Sequence, residues 1–197
     1  MDYFNKGEGE KQAAFAAKRD LILRPLIRYL AAKGVTPTAI SFVGVFFAAF
    51  AVAMPASLWE FSAAGFILYV LMDGLDGPLA RWTKAESEAG SLVDIFADQF
   101  GVVLVALAAI LWLDADILAN VLFAFFYSHT VYLMVICNLF SLRMPYVIRV
   151  KYLYFIVYIS SLYFETSQPV NLFAMVFLAY YLVYFALLFR IILKRDR

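Results

Sequence analysis

Six long apolar stretches constrain the fold of this chain more than any other feature of its sequence. They lie near residues 37–55, 61–82, 90–113, 117–140, 147–164 and 170–193, and each is close to the length of about 20 residues that a helix needs to cross a bilayer. Of all residues, 65% are hydrophobic, whereas the apolar share of a soluble domain is roughly 45–50%. The pattern predicts an all-α integral membrane protein whose residues 36–197 form a six-helix transmembrane domain.

The basic residues are grouped on one side of the predicted membrane. Seven Lys and Arg precede the first span, two flank the connection between spans two and three, three flank the connection between spans four and five, and four follow the last span. Cytoplasmic segments carry the excess of Lys and Arg in membrane proteins. We therefore expect a multi-pass protein of the cytoplasmic membrane with both termini in the cytoplasm. The formal net charge of +1 gives no sign of a nucleic-acid partner, and none is expected.

Residues 1–35 combine apolar residues at helical spacing with many basic residues. The apolar positions are Phe15, Ile22, Leu26 and Leu30. The basic residues on the remaining surface include Lys11, Lys18, Arg24 and Arg28. This pattern is typical of a helix that lies in the membrane interface. We predict a cytoplasmic amphipathic interfacial helix that is bent or restarted at Pro25, where a backbone donor is missing. A disordered basic tail is the alternative.

Four aspartates lie inside the apolar stretches, where ionisable residues are rare. Asp73 and Asp76 belong to the inner half of the second predicted span, and Asp94 and Asp98 belong to the first turns of the third. An aspartate at the centre of a membrane costs at least about 2.5–3.5 kcal/mol. Asp73 precedes Arg81 by eight residues, which places it about 12 Å inward from the cytoplasmic end of the helix. These carboxylates therefore need a cavity that opens to the cytosol.

Helical spacing turns the four carboxylates toward one another. One face of the second span, about 140° wide, presents Asp73, Asp76, Gly77, Ala80 and Arg81. One face of the third span, about 80° wide, presents Gly90, Asp94 and Asp98. Four uncompensated negative charges in a partly dry site would repel or take up protons. Divalent cations resolve the repulsion, and oxygen ligands favour Mg²⁺ or Mn²⁺, with Ca²⁺ also compatible.

Small residues and an arginine beside these carboxylates indicate the kind of ligand. Gly77 and Ala80 leave room for a bulky group, and Arg81 offers a bidentate donor for phosphate. Two metal ions about 3.5–4 Å apart can neutralise the attacking and leaving oxygens of a phosphoryl centre. The pattern therefore predicts a diphosphate ligand. Helix packing could explain the two small residues, and a buried ion pair could explain one aspartate with Arg81, but neither explains four carboxylates.

The acidic residues are part of one longer motif. From Asp73 to Asp98 the chain reads D-x-x-D-G-x-x-A-R, then eight residues, then G-x-x-x-D-x-x-x-D. This motif resembles, without a mismatch, the signature of the CDP-alcohol phosphotransferase family. Six spans after an interfacial helix also resemble this family. The resemblance implies a phospholipid-synthesising transferase that moves a phosphatidyl group from CDP-diacylglycerol to a small polar alcohol and releases CMP, and it implies a homodimer.

The resemblance also implies roles for individual residues. Asp73, Asp76 and Asp94 would be metal ligands, while Asp98 would bind the second of two Mg²⁺ or Mn²⁺ ions and accept the proton of the incoming hydroxyl. The positions that would contact the CDP moiety are Thr38, Ser41, Gly77, Ala80, Arg81 and Ser87. Thr38 departs from the family's usual Asn or Asp, whereas Ser41 keeps the usual hydroxyl.

Basic residues near the connection between spans four and five have two interpretations. Arg143, Arg149 and Lys151 could set the topology and attract anionic lipid, or they could bind an anionic acceptor. The sequence gives no acceptor identity, since residues 93–99 lack the D-P-x-A-D-K form associated with glycerol-phosphate enzymes. His129, the single histidine, is expected to make an interhelical hydrogen bond rather than to act in catalysis.

Other functions remain open at this point. The roles could be reversed, with a soluble CDP-alcohol as donor and a lipid as acceptor. An intramembrane prenyltransferase also binds a diphosphate through metals, but its acidic motifs are spaced differently. A cation channel or carrier could use the four carboxylates as an ion site, although the outer halves of the predicted spans are strongly apolar. Metal-dependent release of CMP separates these classes.

Overall fold

The described part of the chain folds into seven α-helices. The computed structural model describes the backbone of residues 6–195 and the side chains of residues 19–195. The helices are α1 (Lys6–Ala32), α2 (Pro37–Ala53), α3 (Trp59–Thr83), α4 (Glu88–Leu113), α5 (Ile117–Leu139), α6 (Lys151–Tyr163) and α7 (Gln168–Leu193), with a short 3₁₀ turn over Ala56–Leu58. Residues 6–195 contain no β-strand, which confirms the predicted all-α class.

Four of these helices are long and apolar enough to cross a membrane. They are α3 together with the preceding 3₁₀ turn, α4, α5 and α7. A fifth span results if the end of α1 and the whole of α2 are taken as one bent unit, which turns by 106° at its break. Two predicted spans are short as helices, since α2 has 17 residues and α6 has 13. The structure therefore establishes a helical protein with four to five candidate spans.

Helix α1 packs on α3 through one apolar stripe and leaves another exposed. Ile27 is buried against Leu75 and Leu79 of α3, with Leu23 and Leu30 beside it. In contrast, Leu21, Ile22, Leu26 and Tyr29 are exposed, so the predicted apolar face is divided between protein and surroundings. Pro25 lies inside a single uninterrupted helix, so no restart occurs there. The predicted contribution of Phe15 lies outside the described side chains.

Small residues let α2 approach α3 closely. A Cβ atom added at Gly65 would lie 2.8 Å from the Ala51 Cβ and 2.9 Å from the Phe47 carbonyl oxygen, so only glycine fits at this crossing. Helix α2 begins at Pro37, after Thr36 accepts a 3.2 Å hydrogen bond from the Ala39 amide. Proline suits this first position because the amide it lacks would have no helical partner. These features fix the start of α2 beside the carboxyl-terminal end of α3.

Helix α4 is held against both neighbours. Tyr69 of α3 donates a 3.0 Å hydrogen bond to the Ala97 carbonyl of α4, and its ring fills the space above Gly101. At the opposite end, Trp112 donates a 2.6 Å hydrogen bond to the Val52 carbonyl of α2. Each hydrogen bond satisfies polar groups whose burial without a partner would cost free energy in an apolar environment. The contacts fix how far α4 can slide along α2 and α3.

The segment before α6 is not helical, which corrects the predicted span of 147–164. Helix α6 starts at Lys151, and Pro145 precedes it in an irregular stretch. Proline disfavours helix in the residue before it and cannot donate to a preceding turn. The backbone of Ile148 is bonded instead to side chains of α7, donating to the Tyr180 hydroxyl at 2.9 Å and accepting from the Tyr181 hydroxyl at 2.5 Å. Lys151 is thereby placed at the start of a helix rather than inside one.

Candidate metal and nucleotide site

Three carboxylates converge between α3 and α4. Asp73 comes from α3, and Asp94 and Asp98 come from successive turns of α4. One oxygen from each lies within 4.8 Å of the others. The spacing of four residues explains the pair on α4, since such residues share one helix face. The prediction that the acidic faces of these helices meet is therefore realised for these three residues.

Asp76, the fourth predicted carboxylate, falls outside this group. Its side chain is buried, with 7% exposure. One oxygen accepts a 2.7 Å hydrogen bond from the Ser41 hydroxyl of α2, and the other accepts a 2.6 Å hydrogen bond from the Gly77 amide. Both donors hold the carboxylate in one orientation beside Asp94. Asp76 thus connects the acidic group to α2.

A cleft of about 380 Å³ opens beside the carboxylates. Asp76 and Asp94 line it, as do Thr36 and Ser91. The six residues predicted to contact the nucleotide all line this same cleft: Thr38, Ser41, Gly77, Ala80, Arg81 and Ser87. Three separate parts of the sequence therefore meet around one space.

Two motif glycines keep the cleft open. Ser87 caps α4 by accepting a 3.0 Å hydrogen bond from the Gly90 amide, and a Cβ at Gly90 would lie 3.1 Å from the Ser87 oxygen. A Cβ at Gly77 would lie 3.4 Å from Nη1 of Arg81. A side chain at Gly90 would press on the Ser87 cap, and a side chain at Gly77 would fill space beside Arg81. Ser87 therefore has a structural role as a helix cap besides its predicted contact with nucleotide.

Arg81 is oriented by an ion pair with α1. Its Nε and Nη2 donate to the two oxygens of Asp20 at 2.7 and 2.8 Å. This is the bidentate geometry that favours arginine over lysine. The remaining nitrogen, Nη1, lies on the side of Gly77. Asp20 was missed in the sequence prediction, although it is the one acidic residue between Lys11 and Lys33.

Lys151 enters the acidic group from α6. Its Nζ bonds both oxygens of Asp73 at 3.1 Å and also bonds Asp98. The ammonium lies 4.7 Å from the centre of the Tyr152 ring, and the Tyr152 hydroxyl donates to Asp73. Tyr152 was not among the site residues predicted from the sequence. Nothing in the pattern distinguishes it among 13 tyrosines.

The residues of this group fit a divalent cation. The three clustered carboxylates carry three negative charges, and the Lys151 ammonium compensates one of them. Two negative charges remain, and Asp76 adds a third nearby. Carboxylate oxygens are the ligands that Mg²⁺ and Mn²⁺ prefer. The donor set therefore has both the chemistry and the charge for such an ion.

The other two basic candidates belong to the irregular segment before α6, and the single histidine belongs to α5. Arg143 is exposed and Arg149 is half-buried, both in the irregular segment before α6. Among the described residues, the hydrogen bond of His129 joins its Nδ1 to the Phe125 carbonyl of the same helix at 2.8 Å, and not to another helix as predicted. Its ring stacks on Phe125, with the ring centres 3.9 Å apart. The structure therefore places His129 away from the site chemistry.

The fold is similar to that of a solved enzyme in three states. Mycobacterium tuberculosis phosphatidylinositol phosphate synthase (PgsA1) in complex with manganese and citrate matches with a TM-score of 0.71 and 15% identity, over 85% of this chain and 87% of that chain. The same enzyme with CDP-DAG bound matches with a TM-score of 0.68 and 16% identity, over 84% and 90% of the two chains. The apo form of that enzyme matches with a TM-score of 0.67 and 15% identity, over 85% of this chain and 94% of that chain. At these identities the likeness shows a shared fold.

The sequence itself gives the family. No protein of curated function matches the chain. The model of the CDP-alcohol phosphatidyltransferase family matches residues 29–192, which include the acidic group, the cleft and Lys151. This match extends over most of the chain, so the protein belongs to the CDP-alcohol phosphatidyltransferase family.

Proposed function

We propose that this protein transfers a phosphatidyl group from CDP-diacylglycerol to a small polar alcohol and releases CMP. One observation carries the proposal: Asp94 belongs both to the carboxylate group and to the wall of the cleft. A diphosphate bound in the cleft would therefore reach the carboxylates. The neighbour with CDP-DAG bound supports this donor.

Two divalent cations, Mg²⁺ or Mn²⁺, are proposed to be held by the four aspartates. Asp73, Asp76 and Asp94 would hold one ion, and Asp98 would hold the second. When bound, the ions supply positive charge that lowers the cost of the charge developing on the phosphates. The neighbour in complex with manganese supports this choice of metal.

Asp98 is proposed as the general base. An alcohol oxygen forms a bond to the phosphorus distal to cytidine, the bond from that phosphorus to the bridging oxygen breaks, and CMP leaves. The hydroxyl proton passes to Asp98, which requires a distance of about 2.6–3.2 Å or one intervening water. Lys151 contacts Asp98 and Asp73, so it orients both carboxylates.

A second, apolar space beside the site supports a lipid substrate. A groove of about 260 Å³ runs between α3 and α6, lined by residues that include Phe66, Val70, Phe155 and Ile159. Tyr152 also borders the groove, and its hydroxyl donates to Asp73. The groove can accommodate part of an acyl chain while the headgroup stays near the carboxylates. In the cleft, Thr38, Ser41, Gly77, Ala80, Arg81 and Ser87 are proposed to bind the CDP moiety.

The same proposal includes a topology and an assembly. We infer six crossings of the cytoplasmic membrane, with α2 and α6 completing the set of spans. Helix α1 would lie in the interface, supported by its turn of 106° from α2 and by its exposed Ile22 and Leu26. Both termini and the site would then face the cytoplasm, where the basic residues are grouped. A homodimer is proposed from the family alone.

The acceptor is proposed to be a small alcohol, with Arg143, Arg149 and Lys151 as candidate contacts. An anionic acceptor would favour Arg149, which is half-buried just before Lys151. Charge reversal at Arg143 or Arg149 should raise the KM for such an acceptor. An unchanged KM would indicate that these arginines set the topology and attract lipid rather than bind the acceptor.

The reaction is tested by supplying both substrates to the purified protein. CDP-diacylglycerol, Mn²⁺ or Mg²⁺ and a panel of polar alcohols are incubated with it, and the lipid product is identified by mass spectrometry. We expect metal-dependent CMP release and one new phospholipid. Product formed only from a soluble CDP-alcohol and a lipid acceptor would reverse the substrate roles. Cation flux into proteoliposomes without CMP release would indicate a channel or carrier.

A further inference from the structure

A second guanidinium reaches the same glycine as Arg81. Nη2 of Arg19, on α1, lies 3.6 Å from the position that a Cβ atom would take at Gly77, and Nη1 of Arg81 lies 3.4 Å from that position. Gly77 lines the cleft. Two arginines from different helices thus converge over one point that has no side chain of its own.

The two arginines differ in how their donors are used. Two nitrogens of Arg81 donate hydrogen bonds to Asp20. Arg19 lies 4.0 Å from Asp20 at its closest charged atoms, beyond hydrogen-bond distance. Its Nε is buried and has no hydrogen-bond partner among the described residues. Its Nη2 lies toward Gly77, so the end of the Arg19 side chain can donate to an acceptor bound at that point.

We propose that Arg19 is a donor-binding residue that contacts the diphosphate together with Arg81. The proposal rests on the proposed function, since the diphosphate is that of the CDP donor. A diphosphate over Gly77 would meet Nη1 of Arg81 and the guanidinium of Arg19. Asp20 positions the Arg81 guanidinium through their ion pair. Helix α1 thereby supplies part of the nucleotide site rather than serving as a membrane anchor alone.

The sequence offered a different interpretation of Arg19. It was one of seven basic residues before the first span, which together indicate that the amino terminus is cytoplasmic. Arg28 belongs to the same group and the same helix, and it is exposed. Arg19→Gln and Arg28→Gln therefore remove the same charge from α1, but only the first removes a group over Gly77. Arg28→Gln is the matched control.

Equilibrium binding of CDP in the presence of Mn²⁺ tests the proposal without turnover. Purified wild-type protein, Arg19→Gln, Arg19→Lys and Arg28→Gln are compared by dialysis in detergent. We expect Arg19→Gln to weaken CDP binding by roughly tenfold, the loss for one charge-assisted hydrogen bond. Arg28→Gln should bind as the wild type does, and Arg19→Lys should recover part of the affinity because the charge is kept.

Equal CDP affinity of Arg19→Gln and Arg28→Gln would overturn the assignment of Arg19. If Arg19→Gln loses CDP binding through a general loss of structure, Arg19→Lys should not recover affinity, even though it keeps the charge. The proposed reaction is judged separately by CMP release. Protein that binds CDP through Arg19 but releases no CMP would contradict the reaction and leave the Arg19 site standing, while a wild type that does not bind CDP would contradict both.

Discussion

Ser41 donates a 2.7 Å hydrogen bond to Asp76, joining the start of α2 to the carboxyl-terminal half of α3. The two residues are 35 positions apart in the chain, and both line the cleft. The bond explains why a hydroxyl is needed at this point of α2. It orients a carboxylate that has little room to turn.

The first prediction concerns this bond. Ser41→Ala removes one of two donors to Asp76, and a hydrogen bond to a charged group contributes about 1.5–3 kcal/mol. We expect CMP release to fall by about ten- to a hundredfold, with the protein still folded. Ser160→Ala is the matched control, because that hydroxyl bonds the Ile156 carbonyl of its own helix. Equal rates for the two variants would remove Ser41 from the site.

The second prediction concerns the buried ammonium. Lys151→Met leaves Asp73 and Asp98 without their shared counter-charge, and loss of one partner of a buried pair costs about 3–5 kcal/mol. We expect a lower melting temperature in chelator, with a larger rise on addition of Mn²⁺ than in the wild type. The exposed Lys194 provides the control variant Lys194→Met. A metal-induced rise equal to that of the wild type would contradict the role given to Lys151.

The third prediction concerns the contact between α3 and α4. A Cβ atom at Gly101 would lie 2.3 Å from the Tyr69 hydroxyl oxygen, which is itself bonded to Ala97. Gly101→Ala should therefore cost about 1–3 kcal/mol through overpacking and lower the melting temperature. Gly74→Ala is the control, since its Cβ would meet nothing within 4 Å and alanine favours the helix by up to about 1 kcal/mol. Equal melting temperatures for Gly101→Ala and Gly74→Ala would show that α4 can move away from Tyr69 without loss of stability.

Much of the architecture follows from local rules in the sequence. Apolar length predicted helices that cross a membrane, and the four-residue step from Asp94 to Asp98 predicted a shared face. Pro37 marked the start of α2. These features depend on residues that are close together in the chain, so the local sequence pattern predicts them.

Other features depend on contacts that no local pattern records. Asp20 meets Arg81 across 61 positions, and Tyr152 meets Asp73 across 79. The late start of α6 reflects both Pro145 and the bonds that Tyr180 and Tyr181 make to Ile148. From its position near a loop, Lys151 was predicted either to set the topology and attract anionic lipid or to bind an anionic acceptor. Its contact with two carboxylates became visible only when α6 was placed beside α3 and α4.

The central claim is that Asp98 accepts a proton while a CDP-linked lipid is consumed at a metal site. The direct test is metal-dependent CMP release from CDP-diacylglycerol by Asp98→Asn, with the productive alcohol supplied. Asp114→Asn is the control, because Asp114 is exposed and has a left-handed backbone that asparagine tolerates. We predict that Asp98→Asn inserts and folds but loses nearly all CMP release, while Asp114→Asn and wild type release CMP equally. CMP release by Asp98→Asn at the wild-type rate would contradict the account.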